Sequence, residues 1–364
     1  MNTILRPCDC RRFARSRPYR PERDCDKCWL YAHNAIVRQA WGGDPAECAP
    51  PPAPLEPRDV AGLAPLSKSR IDPSALITHP GGYAFNGSCI RYRGRTLFAY
   101  RSGWAGSNIH ICELSDGDRP SPSITLELRH PLASYGREDP RLFEFGGRLH
   151  IAYVGFDGDW NSTMATNQLY ARLRENFTVE AEFAPKIDGR PWGRWEKNWG
   201  FFESGDELYA IYSIDPHIVL RIRGDHAEIA GKSETPFDWV GGHLRGGAPP
   251  RLVAGEYWHW FHGMKELGAI WPTRIYSLGL CTFEALPPFR ITRLARDPIA
   301  WADHSTRPPD QYCSVIFPGG TQFDGTTWRI SCGIHDRWLE VFEYAHADVL
   351  RWLDTSAPSR VMPL

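Results

Sequence analysis

Charged residues stand where a plain strand would be apolar at three places in this chain: Arg137-Glu138-Asp139-Pro140-Arg141, Glu196-Lys197-Asn198 and Arg245-Gly246-Gly247. Two adjacent carboxylates between two arginines suit general acid work on a substrate whose leaving oxygen needs a proton. A carboxylate so flanked normally stays ionised, so burial or substrate binding must raise its pKa before it can act as the acid. Asp139 is the candidate acid, and the Pro140 that follows it predicts an extended backbone there. The alternative is a structural knot of ion pairs among Arg137, Asp139 and Arg141. Lys197 suits an anion or a salt bridge with Glu196 or Glu138. Arg101 and Asp215-Pro216-His217 end two further hairpins at matching places, where turn chemistry and structural pairing compete with substrate contact. His259 lies mid-strand and reads as a satisfied core histidine.

These residues need a scaffold that brings distant segments to one place, and the chain supplies one by repetition. A short apolar strand, a Gly- or Asp-bearing turn and a second strand ending in polar residues recur at 83–103, 137–158, 196–217, 245–265 and 312–336. The turns fall at Gly94, Gly146-Gly147, Gly205, Gly255 and Asp324-Gly325. Hairpins repeated at this period are the pattern of a β-propeller, a ring of blades around a channel with no exposed sheet edge. The expected fold is all-β: a propeller of five four-stranded blades over residues 70–345, with the innermost strands carrying the charged residues into the channel mouth. Residues 266–273 are expected to form an irregular loop in the fourth blade. A short helix and tail are expected over 346–364.

The first 45 residues read as a separate module. Cys8, Cys10, Cys25 and Cys28 form a C-x-C and a C-x-x-C pair, enough for one closed tetrahedral structural zinc site. So short a segment cannot fold on burial alone, which favours the metal over disulfides or free thiols. His33 is a weaker alternative ligand, on a short helix from Trp29 to Trp41. A Pro-rich linker spans 46–69. The module is a candidate for docking a partner protein.

The chain has 364 residues, a net charge of −1 and no apolar run long enough to cross a bilayer. Neither a nucleic acid nor a membrane is an expected partner. Without an apolar leader the expected location is the cytoplasm. The remaining six of the ten cysteines lie mostly in strand-like runs and are expected to be buried free thiols. The 15 Trp and 14 Tyr suit blade packing first and sugar stacking second.

Three motifs carry a resemblance. Glu138-Asp139-Pro140-Arg141, with an apolar hairpin and Asp157 behind it, is similar to glycoside hydrolase family 130. So are Ala248-Pro249-Pro250 with Trp260-Phe261-His262-Gly263, and Val315-Ile316-Phe317-Pro318-Gly319-Gly320 with Gly333-Ile334-His335-Asp336. They keep the family's order and cover about 80–345. The mannosyltransferase/phosphorylases of glycosyltransferase family 108 look similar too. The resemblance implies a five-bladed propeller acting on β-linked glycosides, mostly mannosides, by phosphorolysis, hydrolysis or transfer. It implies Asp139 as the general acid, Arg141 as a holder of substrate or phosphate, Asp336 as a ligand of sugar hydroxyls and His262 as a neighbour of the anion. Inorganic phosphate is then a candidate co-substrate.

The chain also departs from that pattern. The basic position before the proline pair is matched by His243 or Arg245. The segment after Asp157 lacks the Arg usual in phosphorylases, and Lys197-Asn198-Trp199 replaces a Lys-Asp pairing. These departures count against phosphorolysis and leave sugar chemistry in place. The reading is an enzyme cleaving or transferring a β-linked glycoside, with Arg101, Arg137, Glu138, Arg141, Asp157, Lys197, Asn198, His217, Arg245, His262 and Asp336 binding an oligosaccharide or glycoside around Asp139. Two other classes compete: a glycosyltransferase using an activated sugar donor, and a glycan-binding propeller without turnover.

Overall fold

The computed structural model describes residues 62–355, apart from 79–81, 104–105, 158–165, 189–195, 234–238, 240, 268–272, 310 and 312. The described strands fall into five sheets, whose main strands run outward from an innermost strand by antiparallel pairing, while the short outer strands Lys186–Ile187 and Cys313–Ser314 pair parallel. The inner hairpins are Ala84–Tyr92 with Arg95–Ser102, Gly136–Phe145 with Arg148–Phe156, Gly200–Ser204 with Glu207–Ile214, His243–Gly247 with Glu256–Leu267, and Ile316–Phe323 with Thr327–Ile334. The turns between them coincide with the glycines that mark the repeat.

Five separate apolar clusters hold the sheets together, and each lies between two neighbouring blades. Ile90, Leu97, Leu142 and Ile151 join blades 1 and 2, while Phe143, Tyr170, Trp199 and Phe201 join 2 and 3. Phe202, Tyr209, Phe261 and Phe283 join 3 and 4, and Trp258, Trp260, Trp328 and Ile330 join 4 and 5. Ala84, Phe98, Leu339 and Val341 join blade 5 back to blade 1, so the order is a closed ring. The chain is a mainly-β propeller. Closure matters energetically, because each interface buries aromatic rings whose area removed from water is the main favourable term.

The ring is also closed by a strand taken out of chain order. Ser67–Arg70 pairs antiparallel with Trp338–Ala345 and forms the outer strand of the last blade. These residues belong to the propeller rather than to the end of the Pro-rich linker, because their backbone groups complete the ladder of blade 5. The blades are not uniformly four-stranded: blade 3 gains Lys186–Ile187, blade 1 has two short outer strands, and blade 4 carries three short extra strands. Glu266 and Leu267 extend the second strand of blade 4 instead of starting an irregular loop; they pair with Arg274 and Thr273. The helix His346–Thr355 packs Val349 and Leu353 into the cluster between blades 4 and 5. Cys8, Cys10, Cys25 and Cys28 lie outside the described residues. Cys89, Cys112, Cys281 and Cys332 are buried free thiols, and Cys313 is half-buried.

The inner strands share a backbone device that aims side chains into the channel. The pairing register slips between Phe85 and Ser88, between Glu138 and Arg141, between Arg245 and Gly247, and between Pro318 and Gly320. Such bulges turn a strand and re-aim the residue at the kink. Asn86 (φ 50°) and Asp139 (φ 51°) sit in the first two with left-handed backbones, and Asn198 (φ 67°) stands just before the third inner strand in the same conformation. Asn and Asp tolerate that region better than other side-chain-bearing residues. In blade 4 the bulge holds Gly246, where a Cβ would fall 1.8 Å from the Asn198 carbonyl oxygen.

Asp139 is therefore left-handed and not extended. Asp139 and Pro140 together oppose the single residue between Val154 and Ala152, and the kink overrides the local preference that proline imposes. Proline is tolerated there because a bulge leaves a backbone N–H without a ladder partner anyway.

The candidate active site

Asp139 is buried, and its carboxylate accepts a hydrogen bond from Asn86 Nδ2 at 2.8 Å. Arg101 Nη1 lies 3.5 Å from the same oxygen, while Arg101 Nη2 pairs with Glu138 at 2.5 Å. The Arg101 guanidinium rests on the Phe85 ring, 4.5 Å from its centroid, which fixes its plane. Asp336, on a left-handed backbone after the second strand of blade 5, joins this group through the charges of Arg101 and Asp139 and a hydrogen bond with Asn86. Lys197 is close enough for its charge to act on Glu138, Asp336 and His262. Blades 1, 2, 3 and 5 thus bring three carboxylates and two cations to one end of the channel.

Blade 4 supplies the other flank. Arg245 and His262 are direct cross-strand partners, and His262 stacks on Tyr276 with centroids 5.6 Å apart. Arg245 and Asp336 both act on Tyr276 and on Cys313, so this flank adjoins the carboxylates.

Burial dominates the protonation chemistry. It pushes Glu138 up to about 7, with the Asp139 charge adding and Arg101 and Lys197 opposing. It raises Asp336 to about 6, against the pull of Arg101. Burial, with Arg245 and Arg141 nearby, holds His262 well below its ordinary value. That ring is neutral at physiological pH and offers hydrogen bonds without a charge. The site can therefore keep protonated carboxyls beside ionised ones near neutrality, as acid–base work requires.

The Glu138 shift has a sign that can be checked. A carboxyl raised in the folded state adds stability below its unfolded value, 4.5, and that stability is lost as pH rises through about 7. Glu138→Gln should remove this dependence. Relative to the parent, the mutant should gain about 1–3 kcal/mol between pH 4.5 and pH 8. Denaturant unfolding of both proteins across that range measures it, and a flat difference would refute the assignment.

Arg141 plays another part than the sequence predicts. It is fully buried; its Nε donates to the Gly247 carbonyl at 2.7 Å and its Nη2 to Asn198 Oδ1 at 3.1 Å. Its Nη1 reaches the Asp139 carbonyl at 3.3 Å, and the guanidinium stacks 5.0 Å from the Phe317 centroid. It ties the inner strands of blades 2, 3, 4 and 5 beneath the carboxylates, and Asn198 is held by it.

Three predicted residues are not gathered at the cluster. Arg137 has no ion pair within 4.0 Å to Glu138, Asp139 or Asp336 among the described residues; its charge acts weakly on Tyr153, and its backbone pairs with Ser107. Asp157 is exposed at the end of its strand. His217 is buried against Phe283, 5.5 Å between centroids. The alternative of an ion-pair knot with Arg137 and Arg141 is not what the structure forms: the Asp139 carboxylate meets Arg101 and Asn86 instead. Asn86, Tyr276 and Cys313 are the site residues that sequence reasoning missed. Asn86-Gly87 occupies the same place in blade 1 as Asp139 in blade 2, a signal the repeat contains. Tyr276 and Cys313 lie in runs that read as core.

No family model matches this sequence, and no curated protein matches it. Solved structures do match in fold. The β-1,2-mannobiose phosphorylase of Listeria innocua, in complex with β-1,2-mannobiose, superposes with a TM-score of 0.57 at 15% identity, covering 80% of this chain and 100% of that one. A protein from a study of the GH130 family of mannoside phosphorylases, which contains glycoside hydrolases targeting β-1,2 mannosidic linkages in Candida mannan, gives 0.57 at 16%, covering 78% and 87%. The mannose phosphorylase MPT-4 of Leishmania mexicana, in complex with phosphate, gives 0.56 at 12%, covering 79% and 91%. The chain is structurally similar to the GH130 mannoside phosphorylases and glycoside hydrolases, at low sequence identity.

Proposed function

We propose that the protein is a carbohydrate-active enzyme that cleaves or transfers a β-linked glycoside, with β-mannosides as the substrate class. The observation that carries this reading is the convergence of Glu138, Asp139 and Asp336 with Arg101 and Lys197 at one end of the inner strands. Sugars are held by such arrays, since carboxylates accept from hydroxyls and guanidinium and ammonium groups donate to them. Likeness in fold to enzymes whose structures hold a mannobiose or a phosphate supports the same substrate class.

In this reading Asp139 delivers the proton to the glycosidic oxygen, and Asp336 and Glu138 hold ring hydroxyls. The attacking group, water or phosphate, arrives from the opposite side of the sugar, as inversion requires. Arg245 beside the neutral His262 is the pair suited to a phosphate, one cation with one hydrogen-bonding ring. The four N-terminal thiols would hold zinc in a structural role, with no part in the reaction.

A panel of β-mannobiosides, incubated with and without inorganic phosphate, tests the proposal by product analysis. Release of mannose without phosphate means hydrolysis; mannose 1-phosphate formed only with phosphate means phosphorolysis. Saturable sugar binding with no turnover in either condition would replace the enzyme by a glycan-binding propeller.

A further inference from the structure

A cavity of about 300 Å³, apart from the carboxylate cluster, opens where the inner hairpin turn of blade 1 meets the outer hairpin of blade 2. Its walls include Arg148, paired with Phe145 at the far end of the inner strand from Asp139. Six residues of strand put it roughly 20 Å from the carboxylates. The channel chemistry makes no use of it.

Four arginines line this cavity, Arg93, Arg95, Arg148 and Arg174, against two glutamates, Glu175 and Glu180. The formal excess is two positive charges. Arg93 pairs with Glu175, and Arg148 with Glu180 at 3.3 Å, but these side chains are largely exposed except Glu180, and exposed pairs hold weakly. Arg174 has no ion pair within 4.0 Å among the described residues. Two of the guanidiniums are held in place by rings: Arg95 lies over Phe177 at 5.6 Å and Arg93 over Tyr92 at 5.2 Å. Arg93 also donates to the Gly147 carbonyl of blade 2 at 3.3 Å.

The backbone adds an independent sign. Arg93 (φ 47°) and Phe177 (φ 63°) both adopt the left-handed conformation. Turn positions of this kind favour Gly, Asn or Asp, and a bulky residue there is uncommon. Both strained residues face the same cavity, where strain tends to be retained for function.

We infer that this cavity binds a phosphate monoester carrying a ring, with the dianion among Arg93, Arg148 and Arg174 and the ring on Phe177. A dianion matches the excess charge, guanidiniums grip phosphate oxygens in pairs, and 300 Å³ suits a small ligand. The site is separate from the proposed glycoside chemistry and stands whether or not that reading holds.

Calorimetric titration of the full chain with AMP, ribose 5-phosphate and inorganic phosphate tests it. AMP is expected to bind saturably, more tightly than inorganic phosphate. Arg93→Asn and Arg174→Gln should each weaken AMP at least tenfold, and Phe177→Asn should erase its advantage over inorganic phosphate. Because Asn suits the left-handed turn, Arg93→Asn should melt no lower than the parent, so its lost binding cannot be blamed on unfolding; Phe177→Asn also gives up packing on the cluster between blades 1 and 2, and is read by the ratio of AMP to inorganic phosphate affinity, which a smaller folded fraction does not change. Arg245→Gln, in the channel, should leave AMP affinity unchanged. Ribose 5-phosphate binding as tightly as AMP would place the sugar, not the base, on Phe177. No saturable AMP binding, binding indifferent to Arg93→Asn and Arg174→Gln, or binding lost in Arg245→Gln would each overturn the inference.

Discussion

Asp139→Asn is expected to lower turnover of a β-mannoside by ~10²–10⁴-fold, the usual worth of a positioned general acid, and to leave the melting temperature nearly unchanged. The amide keeps the shape of the carboxylate and can still meet the left-handed backbone at φ 51°. It cannot deliver the proton. The fold should survive because Arg101 does not depend on Asp139 alone: Glu138 pairs with it at 2.5 Å, closer than the 3.5 Å to Asp139. If Asp139 were only a structural partner, the substitution would leave a buried guanidinium less compensated and the protein would melt early. Turnover and melting temperature measured on the same mutant separate the two. Activity at the parent's level, or early melting with proportionate loss, would remove Asp139 from the acid's role.

The second large effect concerns stability. Arg141→Met should cost about 3–5 kcal/mol, the range for breaking a buried charged network. The mutation strips donors from the Gly247 carbonyl and Asn198 Oδ1, both deep in the ring, and removes the cation from the Phe317 face. For a domain of this size the loss amounts to roughly 5–15 °C in melting temperature. Arg141→Lys should fall nearly as far, because one ammonium cannot reach both acceptors in the forked geometry of a guanidinium. Thermal unfolding by circular dichroism measures both. A shift under about 2 °C would show that the ring does not rely on this residue.

The parts of this architecture that the sequence exposes are local ones. Gly94, Gly205 and Gly255 mark hairpins because a tight turn needs positive φ, and the structure finds that conformation at each. Apolar strands announce themselves by composition for the same reason. Bulges do not, since a two-against-one register depends on the partner strand. Asp139 lies beside Glu138 and Arg101 on a left-handed backbone that the bulge sets against the extended form Pro140 implies, and Arg137, two residues earlier, lies away from that cluster. Asn86 could have been found by aligning the repeat, as it stands where Asp139 does. Tyr276 could not, because a tyrosine amid Ile275 and Leu278 looks like packing. Ser67–Arg70 is hidden by its neighbours: Ser67, Lys68 and Ser69, polar residues after a Pro-rich run, read as linker, and only the free edge of Trp338–Ala345 makes them a strand.

That closing strand also constrains the order of events during synthesis. Ser67 bonds Glu343 across 276 residues of chain. Ser67–Arg70 leaves the ribosome long before its partner exists, while the hairpins of blades 1 to 4 find theirs within a few dozen residues. Domains assemble from the N-terminus as they emerge, and contacts so far apart form slowly because the loop entropy comes due first. The seam between the last blade and the first is thus expected to close last, and until it does the apolar faces that meet at Ala84, Phe98, Leu339 and Val341 stay open to water.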